Sequence, residues 1–192
     1  MNGDRRPEHR AAVPDRELMG QLAAGNLGAL GVLHDRYYGA VIGVIMHAGV
    51  GASDAQDVAQ EVFLKLLALA VRFDGRESAR AWILGIAWKM ALHRRRSVAR
   101  WLRMLGEGVV EAAHLSPIDP ERIALAAEQR RSFERRVERL PTRMQAAFIL
   151  VEIEGLSGEE AAQALGIPVA TVWTRLHHAR RKMMSNLAGG ER

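Results

Sequence analysis

The chain has 192 residues, with 27 Lys and Arg against 22 Asp and Glu, and its net charge is +5 at neutral pH. Without any cysteine it cannot form disulfides or thiolate zinc sites. No apolar run reaches the roughly 18 residues that cross a membrane, and the first fifteen residues lack the apolar core of a signal peptide. We therefore expect a soluble cytoplasmic protein that needs no cofactor and binds a polyanion.

Apolar residues recur every three to four positions and strand-like alternation is nearly absent, which predicts an all-helical protein. Residues 1–15 are expected to form a solvated tail. Two helices follow, in "DRELMGQLAAGN" and "LGALGVLHDRYYGAVIGVIMHAG". Ser53 and Gln56 then make a possible capping box for a third helix, "DAQDVAQEVFLKLLALA".

The third predicted helix has an acidic face. Asp54, Asp57, Glu61 and Lys65 share it, while apolar residues cover the opposite side. Three interpretations are open: a divalent metal site of a hydrolase, a salt-bridged solvent face, or a protein-docking face. The metal site is the weakest, because such sites need carboxylates from at least two helices and no second cluster is present.

The fourth predicted helix, "ARAWILGIAWKMALHRRRSVARW", follows a polar loop, "RFDGRES". Its basic residues are Lys89, Arg94, Arg95, Arg96, Arg100 and Arg103. Trp82, Ile83, Ile86 and Met90 form a core stripe, and Trp88 lies off it. Cations beside an aromatic ring are typical of single-stranded nucleic acid binding, in which bases stack on the ring. The alternative is that both Trp side chains fill the core.

Helical patterning fails from Gly106 onward, where Gly, Pro and acids predict a linker. We therefore expect two small helical domains, over residues 16–105 and 123–187. A linker of residues 106–122 joins them, and residues 188–192 form a C-terminal tail.

The C-terminal domain has the layout of a helix-turn-helix. A helix ends near Gly155, Ser157 and Glu160 form a capping box, Gly166 permits a tight turn, and Pro168 suits the first turn of the last helix. In that last helix one face is apolar and is expected to pack on Ala161, Ala162 and Leu165: Val172, Leu176, Ala179 and Met183.

The opposite face of the last helix is polar and basic. Thr174, His177, His178 and Arg181 point outward, with Trp173 and Arg180 on one flank and Thr171, Arg175 and Lys182 on the other. Arg side chains can bind phosphate or guanine and Thr suits base edges, so the pattern favours duplex DNA binding. The alternative is an ordinary solvated basic face.

Three segments in this order, "DVAQEVFLK", "FDGRESARAWILGIAWKMALHRRR" and "LPTRMQAAFILVEIEGLSGEEAAQALGIPVATVWTRLHHARRKM", resemble extracytoplasmic-function (ECF) sigma factors of bacterial RNA polymerase. The resemblance covers roughly residues 16–187. It implies a non-enzymatic subunit that binds core polymerase and starts transcription at specific promoters, in answer to a stress or environmental signal. A partner anti-sigma factor, often membrane-anchored, is also implied.

The resemblance also implies site residues. Core polymerase would dock on Asp57, Gln60, Glu61 and Leu64. The melted minus-ten element would contact Phe73, Asp74, Gly75, Arg76, Trp88, Lys89, Arg94, Arg95 and Arg96. The duplex minus-thirty-five element would contact Thr171, Trp173, Thr174, Arg175, His177, His178, Arg180 and Arg181.

Some residues depart from the family pattern. Trp88 and Lys89 stand where the family often has Arg and Asn, and Trp173 stands where Lys or Arg is common. No promoter sequence is therefore predicted. The rival to the sigma factor is a stand-alone helix-turn-helix regulator with an N-terminal interaction domain, which would need neither the acidic face nor the basic Trp-bearing helix.

Overall fold

The computed structural model describes residues 13–76, 78–104, 128 and 132–188. Every regular element in these ranges is helical, which confirms the all-α prediction. The order is α1 (Asp15–Ala23), α2 (Leu27–His47), α3 (Ala52–Leu69), a 3-10 turn (Ala70–Arg72) and α4 (Ala79–Met104). There follow α5, whose described part is 132–138, α6 (Thr142–Phe148) with a π-helical turn (Ile149–Ile153), α7 (Gly158–Leu165) and α8 (Val169–Ala188).

Helices α1–α4 form an N-terminal bundle. In it α2, α3 and α4 pack on one another, and α1 packs on α2. Its core consists of apolar side chains that are almost fully removed from water, including Leu22, Leu33, Val41, Ile45, Val62, Leu66, Ile83 and Leu84. Burying each such side chain contributes about 1.5–3 kcal/mol. The bundle is thus held mainly by the apolar stripes that the sequence predicts.

Polar contacts hold α1 against α2. The Asp15 carboxylate accepts hydrogen bonds from the Arg36 guanidinium and the Tyr37 hydroxyl. Burial, with the hydrogen bond to Asp15, raises the pKa of Tyr37 to about 12. Asp15 therefore belongs to α1, and its assignment to a tail over residues 1–15 is wrong at this position. Residues 1–12 lie outside the described part of the chain.

The start of α3 also differs from expectation. Gly51 is the N-cap and Ala52 the first helical residue, so the capping box predicted for Ser53 and Gln56 does not form. The Gly51 carbonyl instead accepts from the backbone N–H groups of Asp54 and Ala55. The helix begins one residue before Ser53, which places that hydroxyl inside the first turn rather than at the cap.

Helices α5–α8 form a C-terminal bundle in which α8 packs on α6 and α7. The predicted capping box is confirmed: the Ser157 hydroxyl accepts from the Glu160 N–H at 3.1 Å, and the Glu160 carboxylate accepts from the Ser157 N–H at 2.9 Å. Gly166 turns the chain with φ 66°. The apolar face of α8 is buried as predicted, and Pro168 stands immediately before Val169.

The two bundles pack against each other, which the sequence did not predict. Helix α4 lies on α7, and one continuous cluster of buried apolar side chains includes residues of both bundles. The backbones meet at Gly85, where an added Cβ would lie 2.6 Å from the Ala164 carbonyl oxygen. Only glycine permits this approach. The predicted linker, residues 106–122, lies outside the described ranges, as do residues 189–192 of the predicted tail. No helix within the described ranges is long and apolar enough to span a bilayer.

Candidate functional site

Helix α3 presents an acidic strip to solvent. Asp57, Gln60, Glu61 and Leu64 are all exposed, and the Leu64 side chain is 66% exposed. Spacings of three and four residues place them along one side of the helix, while Val58, Val62 and Leu66 bury the other side. An exposed Leu beside two acids is suited to a protein partner that offers both an apolar patch and cations.

Asp54 differs from the acids of this strip, because its carboxylate already accepts a hydrogen bond from Nε of Arg94 on α4 at 3.1 Å. That ion pair connects the first turn of α3 to α4. Within the described ranges no group of three or more His, Asp or Glu side chains could hold a metal ion. The metal interpretation of Asp54, Asp57 and Glu61 therefore gains no support.

A groove of about 670 Å³ separates α3 from α4 beside the acidic strip. Glu61 and Lys65 line its α3 side, and Trp82, Lys89 and His93 line its α4 side. The acidic strip and the exposed cation of Lys89 thus border the same depression. A partner seated on the strip would lie next to any ligand held by Lys89.

The loop before α4 is held in a defined shape. The Phe73 ring is half-buried against Trp82, with ring centroids 5.5 Å apart. The Asp74 carboxylate accepts from the Arg76 N–H at 2.9 Å, and Gly75 takes φ 72°. These contacts leave the Arg76 side chain 88% exposed, so the loop presents a cation to solvent from a fixed backbone.

The basic residues of α4 divide by environment. Lys89 and Arg96 are exposed, whereas Arg94 is paired with Asp54. Nη1 of Arg95 donates to the Ala48 carbonyl at 2.7 Å and to Gln145 Oε1 at 3.4 Å. Among the described cations of α4, Lys89, Arg96 and Arg100 are exposed and can meet a ligand without exchanging a partner, whereas Arg94 and Arg95 cannot.

Trp88 is 4% exposed, so in this packed form the structure supports the alternative in which the ring is buried rather than presented to nucleic acid. Helix α4 packs on α2 and α3 and also on α7, which buries more than one side of its central turns. Gly85 and Trp88 are three residues apart and share the side of α4 that faces α7. Trp88 thus lies one turn beyond the point at which α4 meets α7.

The outer face of α8 is accessible. Trp173, Thr174, His177, His178, Arg180 and Arg181 are exposed, and Thr171 and Arg175 are half-buried. Arg180 is engaged, since its Nε donates to the Glu152 carboxylate at 2.9 Å. The other described cations of α8, half-buried Arg175 and exposed Arg181 and Lys182, form no ion pair with a described residue. They lie away from the Trp173 flank.

Polar groups complete the contact between the bundles. Gln145 is 1% exposed, and its Nε2 donates to the His47 carbonyl at 3.1 Å. Arg80 donates to the Glu154 carbonyl oxygen, and its Nη2 lies 3.8 Å from the Glu154 carboxylate. The small residues at Gly85 and Ala164 are the signal in the sequence that could have indicated this contact, because close helix crossings need small side chains.

Glu154 gives the bundle contact a pH dependence. Burial raises the pKa of Glu154 above its ordinary value, and Arg80 opposes the shift. Because the packed state binds the proton of the Glu154 carboxyl more tightly than the unfolded chain does, the packed state is most stable when Glu154 is protonated. That stability falls as pH rises from the ordinary glutamate pKa through the raised one.

We expect Glu154→Gln to remove this pH-dependent part of the free energy of unfolding, as measured by urea unfolding between about pH 4 and pH 7. Glu159→Gln, at an exposed site on α7, is the control, and an equal slope in all three proteins would contradict the expectation.

Comparison with known families matches two models in order along the chain. "Sigma-70 region 2" matches residues 33–101, and "Sigma-70, region 4" matches residues 130–183. The chain is 32% identical over 175 residues to the RNA polymerase sigma-H factor of Pseudomonas aeruginosa, covering 86% of this chain and 90% of that protein. It is 31% identical over 181 residues to the ECF RNA polymerase sigma-E factor of Haemophilus influenzae, covering 91% and 95%.

Two solved structures have a similar fold. CnrH, in complex with the cytosolic domain of CnrY, superposes with a TM-score of 0.71 at 26% identity, over 92% of this chain and 99% of that one. The sigma factor RpoE of Bartonella quintana, in complex with the anti-sigma factor NepR, gives 0.67 at 20% identity, over 82% and 96%. The second likeness concerns the fold alone.

Proposed function

The chain belongs to the ECF sigma factors of bacterial RNA polymerase, and on that premise we propose which of its surfaces binds core polymerase and which bind the two promoter elements. As a sigma factor it binds core polymerase and directs promoter-specific transcription. The stand-alone regulator is set aside, because both sigma regions are present in order and full-length relatives carry the sigma-factor name.

We propose that the acidic strip on α3 is the surface on which core polymerase docks. Its exposure carries the proposal: Asp57, Gln60, Glu61 and Leu64 face solvent even while the two bundles are packed together. The free chain could then be recruited by polymerase before its DNA-binding surfaces are in place.

The minus-ten element is assigned to the loop and the exposed cations that follow it. Phe73, Asp74, Gly75 and Arg76 would hold an unpaired base, and Lys89 and Arg96 would follow the backbone of the melted strand. Arg94, Arg95 and Trp88 remain part of the proposed surface only if they exchange their present environments. Opening of the bundles would release the Arg95 contact with Gln145, whereas its hydrogen bond to the Ala48 carbonyl lies within the N-terminal bundle.

The minus-thirty-five element is assigned to the outer face of α8, which would lie in the major groove. Arg175 and Arg181 are expected to neutralise phosphates there.

Arg175→Ala and Arg181→Ala should each weaken duplex binding and lower the slope of log affinity against log salt by about one. Arg180→Ala is the comparison: Glu152 already neutralises that guanidinium, so its slope should change less. An unchanged slope for Arg175→Ala and Arg181→Ala would remove them from the phosphate contacts.

The two elements cannot be bound at once while the bundles are packed. Elements about ten and thirty-five base pairs upstream lie on the order of 80 Å apart, at about 3.4 Å per base pair. Yet α4 and α7 are in backbone contact. We propose that the packed form is the free state and that engagement with polymerase and promoter separates the bundles.

Protein partners and location follow from the family. The anti-sigma factor bound to the Bartonella protein and the cytosolic domain bound to CnrH support a regulatory partner for this chain too, with membrane anchoring as part of the proposal. A cytoplasmic protein without catalytic activity of its own is proposed, with a stress or environmental signal controlling its release.

Run-off transcription tests the function directly. Purified chain with core polymerase should produce transcripts from a subset of a promoter library, and core polymerase alone should not. Tight, specific duplex binding by the chain without polymerase, combined with no transcript from the library, would contradict the proposal.

A further inference from the structure

The side chain of Trp173 on α8 packs against the start of α7 in the C-terminal bundle. It is 48% exposed, and its ring lies against Gly158, the first residue of α7. A Cβ added to Gly158 would lie 2.5 Å from Cζ2, 2.7 Å from Cε2 and 3.0 Å from Nε1 of the indole. The six-membered ring thus occupies the space that any side chain at position 158 would need.

This contact restricts where the ring can go. The indole has only two side-chain torsions, and one side of it is covered by the backbone of α7. The exposed part of the ring is consequently held at one place on the surface. Helices α7 and α8 also pack on each other through their apolar faces, so the contact of the ring with Gly158 is part of the helix-turn-helix itself.

The same flank of α8 offers no unpaired cation among its described residues. Arg180 lies seven positions after Trp173, two turns along the same side of the helix, and its guanidinium is bound to Glu152. The other cations of the last helix, Arg175, Arg181 and Lys182, lie about 80° or more around the helix from Trp173 at about 100° per residue. A DNA base facing this flank would therefore meet an apolar ring rather than a cationic donor.

We infer that Gly158 is a positioning residue that holds Trp173 as a specificity-determining surface, and that this surface selects a thymine through its C5-methyl group. The methyl is the apolar group that a base pair offers in the major groove, and it is read by apolar contact. The inference rests on the proposed binding of the minus-thirty-five element by α8, and adds which base feature this flank reads and which residue fixes it.

The test uses the full chain with core polymerase on promoters in which the minus-thirty-five base pairs are randomised. Wild type should prefer thymine at one position, and Trp173→Ala should reduce that preference about tenfold, because it removes the apolar surface that contacts the methyl group. Deoxyuridine at that position, which lacks only the methyl, should weaken wild type and leave Trp173→Ala unaffected. The salt slope should stay unchanged, because no charge is removed.

Gly158→Ala tests the positioning role. Its methyl displaces the ring, so the variant should lose the same thymine preference while Trp173 is still present. The double variant should match Trp173→Ala, because the displaced ring is then absent. If Gly158→Ala does not fold, the double variant, in which the indole is absent, must still fold and show the base preferences of Trp173→Ala. An unaltered preference in Trp173→Ala, a preference for another base, or additive effects of the two substitutions would each overturn the inference.

Arg181→Ala separates this inference from the proposed function. If α8 reads the element but Trp173 does not select thymine, Arg181→Ala weakens transcription from the promoters and Trp173→Ala leaves their ranking intact. If α8 does not contact the element, neither substitution changes the yield or the ranking. Both results overturn the inference, and only the second also overturns the assignment of α8.

Discussion

Gly85→Leu is expected to separate the two bundles of the free chain. A Cβ at position 85 would lie 2.6 Å from the carbonyl oxygen and 3.0 Å from Cα of Ala164. These are backbone atoms, which cannot rotate away as a side-chain tip could. The radius of gyration in small-angle scattering should rise clearly above the roughly 16 Å of a compact chain of this length.

Gly31→Leu provides the matched control for this experiment. Gly31 is also a glycine inside a helix, and an added Cβ there meets nothing within 4 Å. It should leave the radius of gyration unchanged and keep the helical content of the wild type. If Gly85→Leu stays as compact as the control with the same thermal stability, the close packing of α4 on α7 is not the state of the free chain.

Loss of core polymerase binding is the second large expected effect, in the double variant Asp57→Ala plus Glu61→Ala. Removing two acids from a docking surface should weaken binding about a hundredfold, at about 1.4 kcal/mol for each tenfold step. Titration of labelled chain into core polymerase measures the dissociation constant. Transcription at sub-saturating chain concentration should fall in proportion.

The control is Glu17→Ala plus Asp35→Ala, which removes two exposed acids from the N-terminal bundle outside α3. It changes the net charge by the same amount, so a general electrostatic effect would weaken both variants equally. Equal dissociation constants for the α3 variant and wild type would exclude the acidic strip as the docking surface.

Local signals in the sequence predicted most of the helices and the helix-turn-helix. The capping box at Ser157 and Glu160, the turn at Gly166 and the apolar face of α8 depend on residues close in sequence, and all three are present. The apolar stripes of α2 and α3 are likewise read from their period. Such features need no knowledge of distant partners.

The packing of the bundles could not be read in the same way. The periodicity of α4 predicts one buried side only, whereas α4 also packs on α7, and Trp88 is buried although it lies off the predicted side. The Gln145 contact with the His47 carbonyl spans 98 residues. Nor does the sequence near Trp173 show that Gly158 lies beneath its ring. Each of these features depends on residues brought together only in the tertiary structure.

The backbone contact at Gly85 and Ala164 has a thermodynamic consequence for regulation. If about 1% of the free chain were open, any ligand that requires the open form would bind about a hundredfold more weakly than its intrinsic affinity. A regulator that binds the packed form more tightly by about 1.4 kcal/mol would reduce the open fraction another tenfold. It could therefore silence the chain through population alone, without touching the DNA-reading face of α8.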